Sequence, residues 1–117
     1  MGTPGADELT GTGEADIICA MGGDDVVAGG EGRDLVLGGP GADELRGGAG
    51  ADTVQGGRGQ DALRGGDGPD QLWGGRANDD LFGGLGNDHL YGGAGSSDSG
   101  VGGPGYDTFA GCEQSTQ

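Results

Sequence analysis

Positive charge is almost missing from this chain. There is no lysine, and the arginines Arg33, Arg46, Arg58, Arg64 and Arg76 lie scattered through a sequence of net charge −15. Nucleic acids and anionic lipid surfaces attract clustered Lys and Arg, so neither is expected as a partner. No run of 18 apolar residues is present, which excludes a membrane-spanning helix. There is also no charged-then-apolar leader, so an export signal has been removed, lies outside this sequence, or is not used. Histidine occurs once and cysteine twice, too few for a His/Cys cluster that would favour zinc or copper. Hydrophobic residues make up 31% of the chain against 34 glycines, a composition that on its own suggests disorder. Collagen is excluded because glycine does not fall at every third residue.

What the chain does have is a period of nine. The stretch GGEGRDLVLGGPGADELRGGAGADTVQ, residues 29 to 55, is three copies of one unit, GGxGxDxUx, with U a large aliphatic or aromatic residue. Units begin at Gly2, Gly11, Ala20, Gly29, Gly38, Gly47, Gly56, Gly65, Gly74, Gly83 and Gly92, and after one extra residue at Gly102. These twelve units span residues 2–110 as one repeat domain, irregular at 92–101, and leave a polar tail at 111–117. Self-similarity at so short a period predicts a solenoid rather than a globule. The sixth position is Asp7, Asp16, Asp25, Asp34, Asp43, Asp52, Asp61, Asp70, Asp79, Asp88 and Asp107, with Ser97 in the eleventh unit. The eighth is aliphatic or aromatic except at Ser99.

Each position has a physical task. Glycine accepts positive φ and leaves no Cβ in the way, so the first six residues of a unit read as turn and the last three as a short strand. Strand alternation then sends the eighth residue inward and the seventh and ninth outward. One inward residue per unit buries nothing alone, so consecutive strands are expected on opposite faces, giving an all-β fold of two parallel sheets. Two core columns follow: Leu9, Val27, Leu45, Leu63, Leu81, Ser99 against Ile18, Val36, Val54, Leu72, Leu90, Phe109.

The same stacking brings each sixth-position carboxylate close to its equivalent two units on, at the strand spacing of roughly 4.8 Å. Like charges so placed repel by about 1 kcal/mol per neighbour pair even in water, and by more when dried. A hard divalent cation reverses the sign. Calcium takes carboxylate and carbonyl oxygens in loose geometry, which these loops offer. The intact same-side pairs run from Asp7 with Asp25 to Asp70 with Asp88. About eight ions, carrying about +16, would nearly neutralise the chain's −15. Folding and metal uptake are then expected to be one process.

These residues resemble the repeat-in-toxin (RTX), or hemolysin-type, calcium-binding nonapeptide repeat. The resemblance covers Gly2 to Ala110, with consecutive full matches from Gly29 to Trp73. It implies a right-handed parallel β-roll of about 18 residues per coil, with calcium held in the turns between coils by the eleven aspartates named above and by loop carbonyls. It also implies bacterial secretion and folding after export. Ser97, Ser99 and the extra residue near Val101 depart from the pattern and put the step after Asp79 in question. The rival reading makes the chain the non-catalytic repeat segment of a larger secreted protease, lipase, polysaccharide-modifying enzyme or toxin.

Other features read as structural. Trp73, Phe82 and Tyr91 stand at the ninth position of three successive units, Trp73 and Tyr91 on one sheet and Phe82 on the other, and are expected to shield strands. His89 is outward and has no nucleophile or acid at a recognisable spacing. The many carboxylates share one environment, whereas glycoside hydrolysis needs two that differ, so no enzyme activity is expected. The GxGxxG match from Gly100 to Gly105 lacks a strand-then-helix setting. No regular outward Thr or Asn array exists for ice binding. Ile17, Leu35 and Leu37 are expected to be exposed and to favour self-association. Cys19 and Cys112, about five coils and on the order of 24 Å apart, lie beyond the ~7 Å reach of a disulfide.

Overall fold

The computed structural model describes residues 2–95 and 97–112, together with the backbone of 114–116. Among the described residues every regular element is a strand. β1 (Glu8–Thr10) and β2 (Ile17–Cys19) are short, and eight strands of six residues follow: β3 (Val26–Glu31), β4 (Leu35–Pro40), β5 (Glu44–Ala49), β6 (Thr53–Arg58), β7 (Ala62–Asp67), β8 (Gln71–Arg76), β9 (Asp80–Leu85) and β10 (His89–Ala94). Three short strands close the order, β11 (Ser99–Val101), β12 (Thr108–Ala110) and β13 (Gln114–Thr116).

Odd strands form one seven-stranded sheet and even strands a six-stranded one, each in sequence order. All pairs are parallel, and through the regular units residues 18 apart stand opposite each other, as in Val27 with Leu45 or Val36 with Val54, whereas across the irregular unit the partners are 19 apart, as in Leu90 with Phe109. This is a parallel β-roll, thin in one direction at 34 × 31 × 13 Å. Beyond Ala110 the chain adds β13 beside β11.

The regular strands are twice the expected length. Pairing runs through the seventh to ninth positions, skips the first glycine of the next unit, and resumes at its second and third, as in Ala28 with Arg46 and then Gly30 with Gly48. Only the fourth to sixth positions remain as turn. The second glycine allows this, because its positive φ, +110° at Gly30 and +117° at Gly48, turns the chain while the residue keeps its place in the ladder.

The interior holds the two expected columns. Val27, Leu45, Leu63 and Leu81 are buried on one sheet and Ile18, Val36, Val54, Leu72 and Leu90 on the other, with Leu9 and Phe109 packed partly buried at the ends. One expectation fails at the irregular unit. Asp98 rather than Ser97 takes the sixth position, Ser99 turns outward, and Gly100 stands opposite Leu81. The ladder requires residues in register, so the extra residue is expelled into the loop ahead of Asp98. A Cβ on Gly100 would lie 3.0 Å from the Phe109 ring and 3.1 Å from Cys112 Sγ, so those side chains fill the space that the missing aliphatic leaves. No disulfide joins Cys19 and Cys112. Ile17 is 76% exposed, whereas Leu35 and Leu37, expected to be exposed, are half-buried.

Candidate metal centre

Buried positions in the regular units are the sixth, the eighth and the first of the next, so the aspartates point into the same interior as the aliphatic columns. Asp25, Asp34, Asp43, Asp52, Asp61, Asp70, Asp79, Asp88 and Asp98 are each at most 3% exposed, and Asp107 is 8% exposed. Asp7 and Asp16 are half-buried. A solvated acidic face is therefore ruled out.

One oxygen of each carboxylate has a clear role. Asp25 Oδ1 accepts the backbone N–H of Asp7 at 2.7 Å, Asp61 Oδ1 that of Asp43 at 2.9 Å, and Asp88 Oδ1 that of Asp70 at 2.9 Å. The same bond joins every intervening step and continues across the irregular unit from Asp79 to Asp98 and from Asp88 to Asp107, at 2.8 and 2.9 Å. The step after Asp79 is thus complete, through Asp98. Sequence reasoning missed this residue because it set the extra residue after the ninth position. Setting it before the sixth restores the motif.

The other oxygen is in a different state. Oδ2 of Asp25, Asp34, Asp43, Asp52, Asp61, Asp70, Asp79 and Asp88 is buried and accepts no hydrogen bond. A buried carboxylate oxygen without a partner is strongly unfavourable. Space beside it is kept open by the first glycine of the unit. A Cβ on Gly38 would lie 2.6 Å from both Asp43 Oδ2 and the carbonyl oxygen of Gly56, and one on Gly47 would lie 2.5 Å from Asp52 Oδ2 and 2.8 Å from the Gly65 carbonyl. Two oxygens from successive coils therefore border one small space that only glycine leaves vacant.

Burial acts on protonation as these contacts require. Desolvation is the largest influence and pushes the carboxyls of Asp61 and Asp70 up to about 7, and those of Asp43 and Asp79 up to about 6. The accepted backbone N–H works the other way, and the neighbouring carboxylates add to the rise. Asp52 and Asp88 shift upward for the same first reason. Without a cation the ionised ladder opposes the fold.

The donor set fits a hard cation. Among the described residues no three His, Cys, Asp or Glu side chains converge, and what stands beside each regular Oδ2 is a backbone carbonyl. All-oxygen sites of mixed carboxylate and carbonyl character suit calcium.

Residues at the fifth position also shape the loops, which the repeat pattern did not suggest. Asp24 Oδ1 accepts the N–H of Ala42 at 2.9 Å, Asn78 Oδ1 that of Ser97 at 3.1 Å and Asn87 Oδ1 that of Tyr106 at 2.9 Å. Asp or Asn at this position, with a side chain able to reach the next loop, is the signal that was available.

On the outer faces, Trp73 and Tyr91 stack at 4.0 Å between ring centroids, and Arg64 lies 5.5 Å over Phe82 on the opposite sheet. His89 is exposed and pairs through Nδ1 with the Thr108 hydroxyl. No helix of the described residues is long and apolar enough to cross a membrane.

A family model described as an RTX calcium-binding nonapeptide repeat (4 copies) matches residues 1–36, 37–72 and 64–98. No curated protein matches the chain.

Proposed function

This chain belongs to the RTX calcium-binding nonapeptide repeat family, and from that premise we propose that it is a calcium-binding module whose folding and calcium uptake are one event. The observation that carries the reading is the row of buried Oδ2 atoms from Asp25 to Asp88 that accept no hydrogen bond. The carboxylates from Asp25 to Asp107, with Asp98 among them, and the carbonyls of the loop glycines are the groups that hold the metal. A divalent cation supplies the positive charge that the ladder lacks, and about eight ions would nearly balance the chain's net charge of −15.

The chain's own part is to set oxygens in register and to keep water from them. Backbone N–H groups fix each Oδ1, glycine keeps the space beside each Oδ2 clear, and the aliphatic columns exclude solvent from one side. None of this assembles until the coils stack, so binding free energy is spent on folding. Secretion, typical of the family, puts the chain where calcium is abundant, and we read this protein as one that stays unfolded until it is exported. It binds rather than catalyses, because the carboxylates from Asp25 to Asp88 repeat one arrangement and offer no separate acid and base.

Circular dichroism during a calcium titration tests the coupling. A cooperative gain of β signal, reversed by chelator, supports it. An ordered spectrum in excess chelator near neutral pH refutes it.

A further inference from the structure

Not every carboxylate of the ladder is in the same state. Asp7 and Asp16 draw their donors from their own loops. Thr3 donates its backbone N–H to Asp7 Oδ2 at 2.6 Å, and its hydroxyl lies 2.9 Å from Oδ2 and 3.0 Å from Oδ1. Thr12 repeats the arrangement, its N–H 2.6 Å and its hydroxyl 2.9 Å from Asp16 Oδ2. Each threonine hydroxyl also accepts a backbone N–H, from Gly5 at 3.2 Å and from Glu14 at 3.1 Å.

Both threonines occupy the second position of the unit. From the unit at Gly29 onward that position is glycine with positive φ, for example +110° at Gly30 and +95° at Gly39. A β-branched residue avoids that region. Among the described non-glycine residues only Met21 and Ala77 adopt it. Met21 is the internal comparison. It stands at the same second position without a hydroxyl, its φ is +79°, and the Oδ2 of its unit's Asp25 accepts no hydrogen bond. The change of state therefore falls where threonine gives way to other residues. It coincides with the edge of both sheets, where β1 and β2 lie.

We infer that the coil containing Asp7 and Asp16 is closed by threonine in place of metal, so that calcium sites begin at Asp25. This rests on the reading of the ladder as a calcium site. Hydroxyl and amide donors satisfy the two carboxylates that a cation would otherwise have to neutralise, and the first coil presents a metal-independent edge on which the loaded coils stack. Threonine at the second position of a unit is then a sequence mark of a coil that takes no ion.

The test compares Asp7→Asn/Asp16→Asn with Asp43→Asn/Asp61→Asn and the unaltered chain by calorimetric calcium titration. Asparagine keeps an acceptor for threonine but removes the charge. The first double variant is expected to bind as many ions as the unaltered chain, with half-saturation within about twofold, and the second to bind fewer. Loss of one or more ions from Asp7→Asn/Asp16→Asn overturns the assignment. A second arm needs no ion count. Thr3→Val/Thr12→Val should lower the unfolding midpoint by at least about 4 °C, and Thr3→Ser/Thr12→Ser should restore it. Equal midpoints for the valine and serine variants overturn the closure even if the ion counts agree. If the unaltered chain takes up no calcium, the calcium reading itself falls. The valine and serine comparison, run with sucrose to promote folding, then still decides whether threonine closes the coil.

Discussion

Replacing Asp61 by asparagine separates what the carboxylate does without metal from what it does with it. Asp61 Oδ1 accepts the Asp43 N–H at 2.9 Å, and an amide oxygen can do the same. Its Oδ2 is buried and accepts nothing, whereas an amide nitrogen there can donate to the Gly74 carbonyl, which borders the same space. Burial first, then its neighbours Asp43 and Asp79, raise the carboxyl from 3.8 to about 7. At roughly 1.4 kcal/mol per pKa unit the ionised form opposes the metal-free fold by at most about 4 kcal/mol, and by about 2 kcal/mol after discounting for nearby water. The sign follows from the raised value. Stability from this group is present below the unfolded pKa near 4 and is lost as pH rises through about 7. In chelator at pH about 8, Asp61→Asn should therefore fold at a lower sucrose concentration than the unaltered chain. At pH about 4 the advantage should vanish. In calcium the order reverses, because Asp61 adjoins both Asp43 and Asp79 in the ladder. Half-saturation should rise on the order of tenfold. If asparagine destabilises the chelated chain at high pH, burial of charge is not what holds the metal-free coil open.

Three further outcomes follow from the same contacts. Acidifying the chelated protein from pH about 8 to about 4 should increase its β signal, since Asp43, Asp61, Asp70 and Asp79 bind protons more readily in the coil than in the open chain, while calcium affinity falls; β signal lost on acidification in chelator would contradict this. Ala77 holds a φ of +76° at a position where most units have glycine, so Ala77→Gly should raise the calcium-loaded stability by about 1 kcal/mol, and an unchanged or lower midpoint in thermal unfolding would count against strain there. Gly100→Leu should destabilise by roughly 1–3 kcal/mol through collision with Phe109 and Cys112, measurable by urea unfolding in calcium; a stabilised variant would show that the space is empty.

Much of the architecture was legible because it is a local rule repeated. Asp at the sixth position and an aliphatic at the eighth share the parity of a strand, so both face inward wherever the chain is extended, and the twin columns of Val27 to Leu81 and Ile18 to Leu90 follow from counting. Strand length was not legible in this way. Consecutive glycines look like turn, yet Gly48 and Gly66 lie in the ladder because a neighbouring coil offers them partners, which no single unit discloses. The irregular unit was misread for a related reason: a count along the chain cannot say at which point an extra residue leaves the register, and only pairing with Asp79 and Leu81 selects Asp98 and Gly100.

The amino-acid order by itself determined the period, the inward rows of acid and aliphatic, and the charge that demands a cation, since each depends only on spacing along the chain. Tertiary structure alone decided which oxygen of each aspartate is satisfied and by whom. The backbone N–H that fixes Oδ1 comes from a residue 18 or 19 positions earlier, and the carbonyl beside Oδ2 comes from a later coil. Those groups meet only when coils stack, and at Asp7 and Asp16, which have no earlier coil beside them, the donors come instead from a threonine in the same loop.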